Sequence, residues 1–438
     1  MERTGAIADK VYELLVEDED ARVCKDIPDS ACNEQPRAFT AQLSAQTLTK
    51  IGDALTSSRL VLAWILSAIG SPAIYIAMLV PLRESLSLLP QLFIAQFIRE
   101  HAIRKWFWVG GSIGQALALL AMVPAILLLP GPVAAPVIVA LLAAFSLARG
   151  VCSVAAKDVL GKTVSKSRRG RLTGLAASAA GFVSIGVAVA IWLAPAGSGD
   201  TDTGLFAVIL LAAALLWLLA AFVYATIPEV PGATEGGGNA ITEALKSLSL
   251  LRSDRQLRDF VVARMLLVAT AFAIPYIVVM IQQAASGAVT GLAALLLAEG
   301  AAGLLSGPFW GRWSDRASQY VMAAAAGLSA VFIAASLVID IWLPGWMGAI
   351  AGAVLVFGAA VAHQGARVGR KTYLVDMAGA ENRAQYTAVS NTVMGLFLLS
   401  GGALGILDAA LGTRSVLLLL LIIAVVAVIR CARLPSVD

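Results

Sequence analysis

The chain has 438 residues, of which 59% are hydrophobic and only 14% charged, and its mean hydropathy is +0.83. A water-soluble chain of this length needs a more polar surface, so composition excludes an ordinary globular enzyme and points to a polytopic membrane protein. The net charge is only +4, so the placement of the charges carries more information than their sum.

Residues 1–42 read as a cytoplasmic segment. The first 38 are polar and mixed in sign, with an acidic run Glu17-Asp18-Glu19-Asp20, and lack the apolar core of a secretory signal. Cys24 and Cys32 lie here without zinc-type spacing, so no metal site is read from them. Twelve apolar stretches follow, each near the roughly 20 residues that a bilayer helix needs. They are spans 1 to 12, at 43–70, 73–98, 106–129, 132–157, 170–194, 204–227, 259–283, 288–311, 320–341, 345–371, 385–408 and 412–431. The longest internal polar stretch, 228–258, holds Gly236-Gly237-Gly238 and then an amphipathic piece from Ala240 to Leu251. It reads as a cytoplasmic linker with a surface helix. The predicted fold class is all-α: two six-helix bundles, 43–227 and 259–431, with a tail at 432–438.

Basic residues gather on one side of these spans. They are Arg99, Arg104 and Lys105 after span 2, Lys162, Lys166, Arg168, Arg169 and Arg171 after span 4, and Lys246, Arg252, Arg255 and Arg258 in the linker. Arg312, Arg316, Arg370, Lys371, Arg383, Arg430 and Arg433 complete the set, while the other side shows Asp200, Asp202, Asp340 and Asp408 with only Arg414. By the positive-inside rule both termini are cytoplasmic, which requires an even number of spans. Tryptophans at both ends (Trp106, Trp108, Trp310 and Trp313 against Trp192, Trp342 and Trp346) read as interfacial belts.

The two halves resemble each other. At an offset of 214, Val154, Lys157, Leu160, Arg169, Thr173 and Gly181 match Val368, Lys371, Leu374, Arg383, Thr387 and Gly395. At an offset of 216, Leu88, Leu89 and Phe93 match Leu304, Leu305 and Phe309. Parallel repeats of this kind place a solute site between the halves near the bilayer midplane.

Two loops then carry a family resemblance. Gly311-Arg312-Trp313-Ser314-Asp315-Arg316 after span 8 fits a G-x-x-x-D-R pattern, and Arg169-Gly170-Arg171-Leu172-Thr173-Gly174 after span 4 fits R-G-R-x-x-G. With the six-plus-six order, the chain resembles the major facilitator superfamily over residues 43–431. The resemblance implies alternating access, a cavity lined by spans 1, 4, 7 and 10, and a cytoplasmic latch formed by Gly311, Asp315, Arg316, Arg169, Arg171 and Arg383. The loop after span 2, Ala95-Gln96-Phe97-Ile98-Arg99-Glu100, departs from the pattern by lacking the Asp, which puts the latch of the first half in question. Span 5 also lacks the glycine–proline signature of the family's drug antiporters, since Ser178-Ala179-Ala180-Gly181 has no Pro.

Ionisable residues at membrane depth face a cavity or one another, because each costs about 2.5–3.5 kcal/mol on insertion scales. The register puts Asp53 and Arg59 in span 1, Arg83 and Glu84 in span 2, Arg149 in span 4, Glu299 in span 8, and His363, Gln364 and Arg367 in span 10. Glu299 lies twelve residues before Gly311 and Arg83 twelve before Ala95, so the two share a depth; Arg149 corresponds to His363. Pairs within one helix, Asp53 with Arg59 or Arg83 with Glu84, are the structural alternative to a functional role. Arg59, Arg83, Arg149, His363, Gln364 and Arg367 are the candidate solute ligands, because arginine captures carboxylate or phosphate in bidentate fashion. Asp53, Glu84 and Glu299 are the candidate proton carriers, with Asp53 favoured because Lys50 and Arg59 lie within two turns. Pro90, Pro275 and Gly401-Gly402 are candidate helix breaks.

The expected activity is secondary transport of a small anionic or zwitterionic solute by a monomer in the lipid bilayer of the inner or plasma membrane, coupled to protons. No metal, organic cofactor or nucleic-acid partner is expected. A non-transporting sensor or assembly factor is the alternative, motivated by the N-terminal segment and the altered loop after span 2. The sequence has no H-E-x-x-H, nucleophile elbow or P-loop lysine and only two histidines, His101 and His363, so an enzyme is not expected.

Overall fold

Every apolar stretch is helical in the computed structural model, which describes residues 27–193, 203–232, 234, 248–284, 289–342, 349–378 and 383–437. Among the described residues there is no strand. The amphipathic piece expected over 240–251 lies mostly outside them, with only a short helix at Leu250–Ser253 inside. Cys24 lies outside as well, and Cys32 is disulfide-bonded.

Eleven helical stretches among the described residues have the length and composition to cross a bilayer. Span 1 is not among them because it is broken. Its first piece, Gln35–Leu55, is long but polar, and its apolar piece, Val61–Ala68, has only eight residues. The helix therefore begins at Gln35, eight residues ahead of the expected start at 43. That early part is docked, not free. Gln42 Nε2 donates to Thr163 Oγ1 at 2.6 Å, and the Ser165 amide donates to Gln35 Oε1 at 2.9 Å.

Other spans break where proline or glycine interrupts the backbone ladder. Span 2 is Ala73–Leu88 and then Gln91–Arg99, with Pro90 capping the second piece. Span 7 is Arg255–Ala269, one 3-10 turn at Thr270–Phe272, and Ala273–Ala284. Pro275 has no N–H to offer the carbonyl four residues earlier, and that deficit falls within the 3-10 turn. Span 11 divides at Gly401-Gly402 into Arg383–Ser400 and Ala403–Leu411. Spans 8 and 9 run as Val289–Trp342, interrupted only at Ala317, whose φ of −163° and ψ of 69° turn the chain. Both latch motifs thus lie within helices: Gly311–Arg316 ends span 8, and Arg169–Gly174 falls in the first turns of Lys166–Leu193, not in a loop.

The halves meet through the ends of the spans opposite the basic face. Ser67 Oγ donates to Gln282 Oε1 at 2.8 Å. A Cβ on Gly291 would stand 2.7 Å from Trp64 Cη2, and one on Gly405 2.7 Å from Ala77 Cβ, so both glycines are needed for that closeness. Leu89 of span 2 abuts Gly395 of span 11 at mid-depth. Large apolar side chains such as Phe93, Phe182, Phe222 and Val331 are exposed on the outer surface, where lipid would cover them. Trp106, Trp192 and Trp342 are exposed at the ends as a belt requires, but Trp108 and Trp310 are buried in helix packing.

On the basic face of the first half, a four-residue ionic network joins the ends of spans 3, 4 and 6. The Glu229 carboxylate, fully buried, accepts from the amides of Arg104 (2.9 and 3.0 Å) and Lys105 (2.7 Å) and from Lys162 Nζ (2.6 Å). It therefore sits on the N-terminus of span 3, where the helix dipole favours an anion. Asp158 pairs with Arg104 and, at 2.8 Å, with Lys162. Glu229→Gln leaves buried Lys162 with half its counter-charge, so we expect a loss of about 3 kcal/mol, read as a lower melting temperature in detergent. Unchanged melting would show that the network does not hold this end. In the second half, Tyr386 donates to Asp254, which also caps span 7 by accepting from the Leu257 amide at 3.0 Å. Partial burial pushes the Asp254 carboxyl up, but these two donors outweigh it and hold it below its usual range.

Candidate solute site between the halves

The break in span 1 organises the first half of the site. Thr56 and Ser57 close the helix on Gly52 and Ala54 carbonyls, and the ladder resumes when the Leu62 amide reaches Ser57. The Thr56 hydroxyl also bonds Gly52 O at 2.8 Å, the local competition by which Thr and Ser loosen a helix. The freed Thr56 carbonyl accepts from Arg83 Nη1 at 2.9 Å. Arg83 Nη2 donates to Asp53 Oδ1 at 2.8 Å, and Arg149 pairs with the same oxygen. The Arg83 guanidinium also lies 5.0 Å from the centroid of Phe145. Neither within-helix alternative forms: Asp53 pairs across to spans 2 and 4, not with Arg59, and Arg83 does not pair with Glu84. The Asp53 side chain is 24% exposed, Arg83 9% and Arg149 35%, so the triad is partly open and Arg83 is its most buried member.

Arg59 sits in the unwound stretch itself, half-buried, with no hydrogen bond or ion pair among the described residues. Its charge acts on Arg83, Glu84, Glu299, His363, Arg367 and Arg370, which places it at the centre of the constellation. Glu84 is half-buried without an ion-pair partner, and its electrostatic neighbours are Arg59, Arg83, Arg370 and Arg149.

The second half contributes spans 8 and 10. Glu299 is half-buried and has no ion pair among the described residues, with Arg59, Arg367 and Arg83 as its charged neighbours. Gly303, one turn on, faces Gln364: a Cβ there would lie 3.7 Å from Gln364 Nε2. Arg367 is exposed and has no ion pair among the described residues, although Arg59, Glu84, Arg149 and Asp53 surround it electrostatically. His363 lines a closed space of about 10 Å³ with Thr270, Ser329 and Ile333, room for about one water beside the 3-10 turn of span 7. A larger, mainly apolar groove of about 450 Å³ opens separately between spans 1 and 5, lined by Leu43, Ser44, Thr47, Leu48, Leu175 and Ala179.

Two arginines join the site that sequence reasoning placed elsewhere or passed over. Arg370 was grouped with the loop cations, but span 10 continues to Met377, and Arg370 is a charged neighbour of Glu84, Arg367 and Arg59. Arg264 in span 7 is buried, donating to Ser390 Oγ and, at 2.9 Å, to Asn391 Oδ1 of span 11, with Arg370 as its charged neighbour. Its position inside an apolar span was the available signal.

Among the latch candidates, Arg169 caps span 4 by donating to Val164 O at 2.9 Å and Gly161 O at 2.8 Å. Arg171 and Arg316 are exposed, and a Cβ on Gly311 would meet open space. The side chains of Asp315 and Arg383 lie outside the described residues. No group of three metal-ligating side chains occurs among the described residues.

No protein-family model and no curated protein matches the sequence. Solved structures do match the fold. A POT family transporter in complex with a thioalcohol-conjugated peptide superposes with a TM-score of 0.69 at 10% identity, over 93% of this chain and 97% of that one. The nucleoside transporter NupG matches with a TM-score of 0.64 at 14% identity, over 90% of this chain and 100% of that one. A D-xylose-proton symporter matches with a TM-score of 0.64 at 14% identity, over 92% and 98%. The chain thus has the fold of the major facilitator superfamily, the fold that its loop motifs and six-plus-six order imply.

Proposed function

We propose that the protein is a secondary transporter that carries a small anionic or zwitterionic organic solute across the inner or plasma membrane by alternating access, coupled to protons. The observation that carries this reading is the set of arginines at membrane depth with no hydrogen-bond or ion-pair partner among the described residues. Arg59 comes from the first half, and Arg367 and Arg370 come from the second. Unpaired charge at that depth is costly and is kept where a ligand or ion uses it. The fold neighbours, among them a D-xylose-proton symporter and a POT family transporter in complex with 5-aminolevulinic acid, support transport as the activity. The alternative reading, a sensor or assembly factor, drew on the altered loop after span 2, but Glu229 and Asp158 hold that end together.

The solute is held by Arg59, Arg367 and Gln364, with His363 beside them. Arg83 and Arg149 shape the site while engaged by Asp53. Glu299, not Asp53, carries the proton. A proton on Asp53 would strip two guanidiniums of their counter-charge, whereas Glu299 has no ion-pair partner to strand. Protonating Glu299 also raises the positive charge of the cavity and strengthens its hold on an anion, which is the sign that symport requires. Transport is tested in liposomes by counterflow, with candidate solutes trapped inside and labelled outside. Exchange that depends on the protein supports the reading, and its absence across carboxylates, phosphates, amino acids and sugars would overturn it.

The basic face is cytoplasmic in this account, and the protein acts as a monomer. Thr234 is exposed just after span 6. Thr234→Cys should react with an impermeant maleimide only after the cells are permeabilised. Labelling in intact cells would reverse the orientation.

A further inference from the structure

The charges around Arg59 do not balance, and the size of the imbalance specifies a ligand. Arg59, Arg367 and Arg370 have no hydrogen bond or ion pair among the described residues. Asp53 balances only one of Arg83 and Arg149, which share its oxygen. Against these stand two carboxylates without an ion pair among the described residues, Glu84 and Glu299, leaving an excess of at least two positive charges at the meeting of the halves, and of three when Arg264, held by the neutral Ser390 and Asn391, is counted. Lys50 and Lys371 lie nearer the basic face, and Lys371 is exposed. Uncompensated charge at membrane depth is costly and is kept where a ligand or ion uses it. A monoanion or a zwitterion would leave part of that cost standing.

The geometry points to a small dianion, a phosphate monoester or a dicarboxylate, that bridges Arg59 of the first half and the Arg367–Arg370 pair of the second. This inference rests on the transport reading and narrows its solute class. Guanidiniums suit both chemistries because their planar forks match carboxylate and phosphate oxygens alike. Arg367 and Arg370 lie three apart on one helix, so their side chains share a face and can grip one anionic group together. Arg59, in the unwound stretch of span 1, is free of the helical ladder and able to follow the ligand as the halves move.

The test is ligand-induced thermal stabilisation of the purified full chain in detergent without added lipid. The probes are glycerol phosphate and succinate as dianions, acetate and lactate as monoanions, and alanine as a zwitterion. At least one dianion should reach half-maximal stabilisation at a concentration tenfold or more below every other class. Arg59→Gln and Arg367→Gln should each abolish that preference, while Arg433→Gln, outside the site, should keep it. Because neither guanidinium has a hydrogen bond or ion pair among the described residues, both variants should purify as monodisperse protein. The two dianion arms separate phosphate from carboxylate as the preferred group. Equal stabilisation by monoanions or by alanine, no stabilisation by any probe, or a preference that survives both substitutions would each overturn the inference. Its failure is distinguishable from failure of the transport reading. Counterflow of a neutral or monoanionic solute would refute the dianion and leave transport standing, whereas dianion binding with no flux of any solute would do the reverse.

Discussion

Asp53→Asn is expected to cost most of the folded protein. Among the described residues Asp53 is the only carboxylate that pairs with Arg83 and Arg149, and its neutral substitute leaves two guanidiniums facing each other at membrane depth. Removing one member of a buried ionic cluster costs about 3–5 kcal/mol, and the lower figure applies here because Arg149 is partly solvated. The loss also reaches the backbone. Arg83 ties the Thr56 carbonyl to Asp53, so a displaced Arg83 uncaps the first piece of span 1. Yield of monodisperse protein after detergent extraction should fall several-fold, and Asp53→Asn with Arg149→Gln should recover part of it. A single Asn variant that folds and transports as well as the wild type would mean that the triad is idle.

Glu299→Gln is expected to do the opposite: normal folding and lost coupling. The side chain has no ion-pair partner, so the neutral isostere strands no cation in contact with it. In liposomes a pH difference of one unit can support accumulation of up to about tenfold for each coupled proton. The wild type should approach that limit with any solute it exchanges. The Gln variant should keep counterflow, because binding and the movement of the halves survive, and its accumulation should fall to near equality across the membrane. Full gradient-driven uptake by this variant would remove Glu299 from the coupling step and contradict its assignment as the proton carrier.

Much of the architecture was legible because it is one-dimensional. A run of about 20 apolar residues declares a span wherever it sits, and Pro90 and Gly401-Gly402 mark backbone that cannot continue a helix smoothly. The break at Thr56–Leu60 was not legible, since it contains neither Pro nor Gly and rests on Thr and Ser competing for backbone partners. The charged positions could be counted, but not paired. Which of Arg59, Arg83 and Arg149 reaches Asp53 depends on the rotation of three helices about their own axes, at about 100° per residue. Neighbours on one helix looked like the natural partners, and the structure instead joins spans 1, 2 and 4. Arg370 was missed as a site residue because span 10 runs on to Met377, past the expected end at 371. Glu229 was hidden for a different reason: a lone carboxylate in a polar linker gives no sign that three elements converge on it.

Alternating access is the central claim, and paired distances across the two faces test it most directly. Lys157 and Lys371 are exposed on the basic face, one in each half, and Leu193 and Trp342 are exposed at the opposite ends of different halves. With the four native cysteines replaced by serine, spin labels at the 157/371 pair and, separately, at the 193/342 pair should each report two distances in membranes by pulsed electron resonance. Adding the transported solute or lowering the pH should shift the two pairs in opposite senses, one shortening as the other lengthens. A single distance at each pair, unmoved by either treatment, would contradict the account.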